Sequence, residues 1–166
     1  MPDKCTGCDL CLAACAAAHA HAFDPSRALL GVEHFPLIGR FVPSVCFHCA
    51  NPDCMAACPE GAISHDESGT VLVRTKKCTG CGACEEACPW GQIRIGGDGL
   101  ALKCDLCGGE PACAAQCRYG ALVFTEPDRE LRTLRGRQMD DRCADENPTR
   151  KRRRLAERLV CLEDKA

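Results

Sequence analysis

The sequence is poor in the large apolar side chains from which protein cores are built. Aromatic residues make up 4% of the chain, with a single tryptophan and a single tyrosine. Leucine, isoleucine, valine and phenylalanine together account for 31 of the 166 residues. At about 19%, this is close to the composition at which a chain no longer buries enough apolar surface to fold. The composition disfavours a conventional enzyme core, so something other than apolar packing must stabilise the chain.

Several sequence signals are also missing. The N-terminus has no basic stretch followed by an apolar one, so it does not resemble a signal peptide, and no apolar run approaches the ~18 residues of a membrane helix. We find no phosphate loop, dinucleotide fingerprint, haem-attachment pattern or metalloprotease pattern. We therefore expect a cytoplasmic protein without its own substrate site, in which thiols stay reduced. Export on the signal of a partner remains an alternative.

Cysteine is abundant: the chain has 18, and sixteen of them fall into four groups of four. The groups are Cys5, Cys8, Cys11, Cys15; Cys46, Cys49, Cys54, Cys58; Cys78, Cys81, Cys84, Cys88; and Cys104, Cys107, Cys113, Cys117. Groups one and three follow the C-x2-C-x2-C-x3-C spacing that binds [4Fe–4S] clusters in bacterial ferredoxins. Zinc ribbons bind one ion through two CxxC pairs, which does not explain a third and fourth cysteine in every group. Disulfides do not suit a reducing compartment.

Crossed ligation is expected from this spacing. Three cysteines on one loop can reach one cluster, while the fourth, expected on the short helix that follows, reaches the other cluster of the pair. Groups two and three are joined by a short segment and form one two-cluster unit, which leaves groups one and four to pair. The predicted ligand sets for four [4Fe–4S] clusters are Cys46, Cys49, Cys54 with Cys88; Cys78, Cys81, Cys84 with Cys58; Cys5, Cys8, Cys11 with Cys117; and Cys104, Cys107, Cys113 with Cys15.

Short β patterns follow the later groups. Two hairpins are predicted, one pairing 61–64 with 70–73 and one pairing 92–95 with 100–102, and a last strand is predicted at 120–124. Residues 19–45 are interpreted as a covering loop. For His48, inside the second group, tuning of a cluster by hydrogen bonding is considered, but a plain loop role is preferred. Trp90 and Tyr119 are expected to pack against a cluster.

The cysteine groups and their repeats, such as Lys4–Cys8 repeated at Lys77–Cys81, resemble the four-cluster polyferredoxin subunits found beside larger redox enzymes. The relatives include the electron-transfer subunits of dimethyl sulfoxide reductase-type enzymes, hydrogenases, CO dehydrogenase and tungsten aldehyde oxidoreductases. The resemblance implies an α+β fold of two nested two-cluster units within residues 1–125. The inner unit is expected at about 42–100, and the outer unit combines 1–41 with 101–125.

The remaining residues, 126–166, have a different composition, with 12 Lys/Arg and 10 Asp/Glu. A helix is predicted from about Thr149 to Leu162, with Leu155, Leu159 and Leu162 on one face. A nucleic-acid patch, a solvated tail and a partner-docking arm are the competing interpretations of this segment. The docking arm is preferred, because its apolar stripe is too narrow to fold alone. Cys143 and Cys161 are predicted to be free thiols.

The expected function is electron transfer, because a cluster with four cysteine ligands has no open coordination site for a substrate. The expected partner is a catalytic oxidoreductase subunit carrying a metal–pterin or a metal cluster, with a tungsten or molybdenum pterin aldehyde oxidoreductase favoured. A flavoprotein subunit and self-stacking are further candidates, and neither nucleic acid nor a membrane span is expected. The alternatives are a hydrogenase- or CO dehydrogenase-associated ferredoxin, a free diffusing ferredoxin, and a zinc module.

Overall fold

The computed structural model describes residues 1–125 and 147–163. Cys143 and the side chain of Cys161 lie outside the described part, so the assignment of these two residues as free thiols stays a prediction. The helices are Leu10–Ala20 (α1), Asp53–Ala56 (α2), Ala83–Ala87 (α3), Ala112–Ala115 (α4) and Pro148–Glu163 (α5). The strands are Gly31–Phe35 (β1), Arg40–Ser44 (β2), Ile63–His65 (β3), Val71–Val73 (β4), Ile93–Ile95 (β5) and Ala101–Lys103 (β6). The fold is a small mixture of short helices and short hairpins.

Three two-stranded antiparallel sheets form, pairing β1 with β2, β3 with β4, and β5 with β6. The second and third are the hairpins predicted from sequence, and they are confirmed. In the β3–β4 turn the Asp66 carboxylate accepts hydrogen bonds from the backbone N–H groups of Ser68 at 2.9 Å and Thr70 at 2.8 Å. This side chain closes the turn by satisfying backbone donors that would otherwise face solvent.

Two sequence expectations differ from the structure. Residues 19–45 are not a plain loop, because β1 and β2 form a hairpin there in which Val42 is 1% exposed. No strand forms at 120–124. Instead, the Ala121 carbonyl accepts a hydrogen bond from the amino group of Met1 at 3.0 Å. An apolar run of that length is a strand only when a second strand is available to satisfy its backbone groups.

The chain divides into two compact units. Of the described residues, unit 1 contains 1–45, 106–124 and 152–163, and unit 2 contains 46–105, 125 and 147–151. Each unit includes cysteines from at least two groups and at least one hairpin. The nested arrangement expected from sequence stays a prediction.

Apolar burial in both units is sparse. In unit 2 the most buried apolar side chains beside the cysteines are Ala62, Ile63, Val71, Trp90, Ile93 and Ala101. In unit 1 a cluster forms between the β1–β2 hairpin and helix α5, where Phe35, Val42, Ala156 and Val160 are all buried. Such small cores release little free energy on folding at about 25 cal/mol per Å² of apolar surface, which is consistent with the cysteines having a structural role.

Helix α5 confirms the predicted helix of the C-terminal segment. It begins at Pro148, which suits the first turn of a helix, and the Asn147 side chain accepts the backbone N–H of Arg150 at 2.9 Å as a cap. Within unit 1 this helix buries Ala156 and Val160. Of the predicted leucine stripe, Leu155 is half-buried, and the side chains of Leu159 and Leu162 lie outside the described residues. The chain itself covers Ala156 and Val160, and a partner-docking role for 126–166 stays a prediction.

Three basic residues of α5 contact other parts of the chain. In unit 1, Arg153 lies 3.9 Å from the centre of the Phe35 ring and donates to the His34 carbonyl at 2.9 Å, while Arg152 lies 3.8 Å from Glu33. In unit 2, Lys151 is 2% exposed and donates to the Glu86 carbonyl at 2.6 Å. Glu86 lies in the last turn of α3, where backbone carbonyls lack helical partners and attract cations.

Candidate iron–sulfur sites

Unit 2 contains two cavities, each walled by four cysteines from two different groups. One, of about 320 Å³, is lined by Cys58 together with Cys78, Cys81 and Cys84. The other, of about 390 Å³, is lined by Cys88 together with Cys46, Cys49 and Cys54. In both, three cysteines come from one loop and the fourth comes from the other group. The structure therefore brings together the same two quartets that the spacing predicts.

Unit 1 contains a third cavity, of about 350 Å³, with the same organisation. It is lined by Cys5, Cys8 and Cys11 of the first group and by Cys117 of the fourth. Tyr119 also lines this cavity, although 56% of its surface is exposed. This quartet again combines three cysteines of one loop with the last cysteine of another group.

The fourth predicted quartet is supported in part by proximity. Burial raises the pKa of the Cys113 thiol, and the nearby sulfurs of Cys15 and Cys107 raise it further. Cys15, Cys107 and Cys113 all belong to unit 1. Cys104 belongs to unit 2, and its place in this quartet stays a prediction.

The backbone of each loop makes the same turn before its second cysteine. The residue at this position has a positive φ in every group: Gly7 at +67°, His48 at +46°, Gly80 at +70° and Leu106 at +59°. Glycine adopts this left-handed conformation without strain, whereas side chains with a Cβ rarely do. The turn is therefore a shared requirement of the four loops, and His48 and Leu106 meet it at a cost of roughly 1–2 kcal/mol each.

The third cysteine of each group lies on a helix. Cys11, Cys54, Cys84 and Cys113 are within α1, α2, α3 and α4, respectively. The fourth cysteine follows the helix end in groups two to four, and only the longer α1 also includes Cys15. The expectation that the fourth cysteine sits on the helix is confirmed for Cys15 and is wrong for Cys58, Cys88 and Cys117. A position beyond the helix end explains how these side chains reach the cavity of the other group.

Each fourth cysteine accepts a hydrogen bond from a backbone N–H. The sulfurs of Cys58, Cys88 and Cys117 accept from Ala62 at 3.3 Å, Gln92 at 3.4 Å and Leu122 at 3.4 Å, and Cys15 accepts from Leu29 at 3.2 Å. Hydrogen bonds to sulfur stabilise the thiolate over the thiol. They therefore favour the form of the side chain that binds a metal.

The buried thiols resist ionisation in the absence of a cation. Burial raises the pKa of Cys54 to about 12, with the sulfurs of Cys88 and Cys46 adding to the effect. Burial likewise raises the pKa of Cys11 to about 12 and of Cys84 to about 11. Thiolates held together in this way need metal cations to offset their charge, because a coordinating thiol is deprotonated by the metal that it binds.

The quartets do not fit a single metal ion. In tetrahedral zinc sites the Zn–S bonds are about 2.3 Å, which places the four sulfurs within about 4 Å of one another. Within residues 1–125 and 147–163, no three cysteine sulfurs all lie within 4.8 Å of one another. A cluster of several iron and sulfide atoms bridges sulfurs that lie farther apart than those around a single ion. Trp90 also lines the second cavity. Its indole N–H is buried and has no acceptor among the described residues.

The sequence analysis did not single out Lys103 as part of these walls. Lys103 lines the second cavity and is 8% exposed. A lysine precedes the first cysteine of three groups, at Lys4, Lys77 and Lys103, and Lys4 and Lys77 are exposed. The pattern was visible in the sequence, but burial distinguishes Lys103 from the other two.

Comparison with known proteins agrees with these sites. Residues 38–127 match the model of the 4Fe-4S dicluster domain family, and residues 2–18 match a 4Fe-4S binding domain. The polyferredoxin-like subunit of aliphatic sulfonate oxidoreductase from Pyrococcus furiosus is 44% identical over 119 residues, covering 70% of this chain and 68% of the relative.

Two further relatives are also redox proteins by name. A tetrathionate reductase subunit from Archaeoglobus fulgidus is 45% identical over 108 residues, covering 63% of this chain and about half, 51%, of the relative. The electron transport protein HydN from Escherichia coli is 34% identical over 151 residues, covering 76% of this chain and 86% of the relative.

Among the described residues, no helix has the length and apolar character needed to cross a membrane. The matched domains, the identity to these relatives and the sixteen grouped cysteines agree in the cofactor that they indicate, the [4Fe–4S] cluster. The chain therefore belongs to the 4Fe-4S dicluster domain family and is an iron–sulfur electron-transfer subunit of oxidoreductases.

Proposed function

We propose that the chain relays electrons one at a time between a catalytic oxidoreductase subunit and a second redox partner, using four [4Fe–4S] clusters. The observation that carries this proposal is the composition of the three cavities, each walled by three cysteines of one loop and the last cysteine of another group. When bound, a [4Fe–4S] cluster takes up and releases a single electron. With all four cysteines engaged, the chain offers no open coordination site and has no substrate site of its own.

The residues of the chain have three tasks in this proposal. The thiolates bind iron, in the four quartets predicted from spacing. Backbone N–H groups at the fourth cysteines stabilise the bound thiolates. Apolar side chains such as Ile63, Val73 and Ile95 line the first cavity. An apolar surround of this kind lowers the local dielectric constant and so influences the reduction potential of a bound cluster.

The names of the relatives support a catalytic partner. They are subunits of an aliphatic sulfonate oxidoreductase and a tetrathionate reductase. We propose that this chain serves a partner of the same general kind, an oxidoreductase subunit that carries a metal–pterin or a metal cluster. We propose, more specifically, that the partner is a tungsten or molybdenum pterin aldehyde oxidoreductase. We also propose that the protein is cytoplasmic and that residues 126–166 dock on the partner.

Removing single ligands tests the crossed quartets. Cys88→Ala, Cys49→Ala and Cys81→Ala are compared by electron paramagnetic resonance (EPR) after anaerobic reduction. If the quartets are crossed, Cys88→Ala and Cys49→Ala alter the same signal, whereas Cys81→Ala alters a different one. If Cys88→Ala and Cys81→Ala alter the same signal, each group holds its own cluster and the crossed assignment is wrong. The native chain is expected to contain ~16 iron atoms, four for each cluster, and colourless folded protein containing zinc would exclude the cofactor.

Isolation from the native organism tests the partner. An affinity-tagged chain purified anaerobically is expected to bring with it a larger oxidoreductase subunit in a fixed ratio. That partner, reduced by its own substrate, should in turn reduce the chain. A chain that elutes alone at the size of a monomer, with all clusters present, would favour a free ferredoxin.

A further inference from the structure

The ammonium group of Lys103 is fixed beside the cavity of Cys46, Cys49, Cys54 and Cys88. Its nitrogen donates to the Val71 carbonyl at 2.5 Å and to the Cys104 carbonyl at 3.1 Å, and lies 3.4 Å from Nδ1 of His48. An ammonium group has three donors and no acceptor. Three acceptors surround this nitrogen, so its contacts are those of the charged form.

His48 orients this lysine. Its Nδ1 also accepts the backbone N–H of Val71 at 3.1 Å. A ring nitrogen that faces two donors is the unprotonated one, so Nδ1 acts as an acceptor toward Lys103 as well. His48 occupies the left-handed position that is Gly7 and Gly80 in two of the other loops. The loop tolerates a side chain here at the expense of strain, and that side chain contacts the lysine. The plain loop role preferred from sequence is therefore replaced by a positioning role.

The two cavities of unit 2 differ in the charges on their walls. The cavity of Cys58 and Cys78 to Cys84 is lined by the exposed Glu60 and, in the described part of the chain, by no basic residue. The cavity of Cys46 to Cys54 and Cys88 is lined by Lys103, which is buried, and by Asp53, which is half-buried. Water screens a partly exposed carboxylate more than a buried ammonium. Of the two sets of lining residues, only that of the second cavity includes a buried positive charge, which therefore acts more strongly on this cavity.

Reduction adds one negative charge to a cluster, and a nearby buried cation stabilises that charge. We propose that Lys103, positioned by His48, raises the reduction potential of the cluster held by Cys46, Cys49, Cys54 and Cys88 above that of the other cluster of unit 2. This inference rests on the proposed ligand sets. An electron that enters unit 2 then resides on the cluster beside Lys103 at equilibrium.

A potentiometric titration of the whole chain, followed by EPR with dithionite as the one-electron donor, tests the proposal. Cys49→Ser and Cys81→Ser identify the signals of the two clusters of unit 2. Lys103→Gln keeps a hydrogen-bond donor but removes the charge. We expect this variant to lower the equilibrium constant for reduction of the Cys49-dependent cluster at least tenfold, which is a fall in reduction potential of about 59 mV for one electron. The potential of the Cys81-dependent cluster should not change.

Two variants serve as controls. Lys77→Gln removes an exposed lysine from the corresponding position before the third group and is expected to leave both potentials unchanged. Lys103→Arg keeps the charge and is expected to shift the Cys49-dependent potential less than Lys103→Gln does. If Lys103→Gln fails to assemble its cluster, His48→Gly provides a second test. It introduces the glycine found in two of the other loops, removes one of the three acceptors around the ammonium group and should lower the same potential.

Each result has a distinct meaning. Unchanged potentials in Lys103→Gln, with four clusters present, would overturn the role of Lys103 and leave the proposed function intact. If Lys103→Gln does not assemble, an unchanged Cys49-dependent potential in His48→Gly would overturn it equally. An equal shift in both signals of unit 2 would also overturn it, since the effect would not be local. A native chain with far fewer than ~16 iron atoms would overturn the proposed function instead.

Discussion

The turn at Gly80, between Cys78 and Cys81, offers a sharp test of how the backbone shapes a cluster loop. Gly80 has a φ of +70°, and a Cβ built there would lie 1.9 Å from the Gly99 carbonyl oxygen. The atom in the way is backbone, so no side-chain rotation relieves the overlap. Gly80→Ala must therefore move either the cluster loop or the β5–β6 turn that contains Gly99.

The free-energy change can be divided into two parts. The left-handed backbone costs alanine about 1–2 kcal/mol. Moving the Gly99 segment also endangers the hydrogen bond from the Ala101 N–H to the Cys78 sulfur at 3.5 Å, which is worth about 1–2 kcal/mol. The total destabilisation expected for Gly80→Ala is about 2–4 kcal/mol, and at the upper end the quartet of this loop loses its cluster.

Two neighbouring glycines separate these parts. Gly82 has a φ of +83° but open space around its Cβ position, and Gly97 has open space without a positive φ. Thermal unfolding of the iron-loaded variants is followed anaerobically through the visible absorbance and the iron content. The expected order of destabilisation is Gly97→Ala, near zero, then Gly82→Ala, then Gly80→Ala. If Gly80→Ala were no worse than Gly82→Ala, the close approach to Gly99 would not exist in the folded protein.

Two further predictions concern the C-terminal helix and the ionisation of two cluster-site cysteines in the metal-free chain. Lys151→Met keeps the length of a side chain that is 2% exposed but removes its hydrogen bond to the Glu86 carbonyl. The free energy of unfolding should therefore fall by about 1.5–3 kcal/mol. The control Arg150→Met, at an exposed position, should change the free energy of unfolding by less than about 0.5 kcal/mol. In metal-free protein, alkylation of Cys54 should still accelerate above about pH 10, because burial raises its pKa to about 12. Burial also opposes ionisation of Cys117, but the N–H groups of Leu122 and its neighbours outweigh it and lower the pKa, so its alkylation rate should level off at a lower pH.

Site-resolved mass spectrometry follows the alkylation of both thiols across the pH range. In urea the folded surroundings are lost, and both rates should then level off near the ordinary thiol pKa of about 8.5. Levelling at one common pH in the folded metal-free chain would contradict the predicted effect of the surroundings on the two thiols.

Local spacing was enough to predict much of this protein. The separation of Cys46 from Cys49 and Cys54 places three thiolates on one loop, because a short chain segment has few ways to arrange them. The two predicted hairpins follow from the same kind of local information, since the residues between Ile63 and Val73 include a side chain, Asp66, that closes its own turn. The start of the C-terminal helix at Pro148 is likewise determined by adjacent residues.

The features that the sequence did not reveal depend on contacts between distant residues. The β1–β2 hairpin was missed because its strands are stabilised by burial of Phe35 and Val42 against Ala156 and Val160, more than a hundred residues away. The predicted strand at 120–124 failed for the converse reason, because Ala121 meets the N-terminal amino group and not a second strand.

The cysteine pattern by itself determined the cofactor and the number of quartets, and it predicted the crossed assignment of their members, because thiolate spacing along a chain limits which metal centre can be bound. Only the tertiary structure decided which of three lysines preceding a cysteine group is buried beside a cavity. Charge acts through space according to burial and distance. Lys77 and Lys103 are therefore equivalent in the sequence and different in the fold.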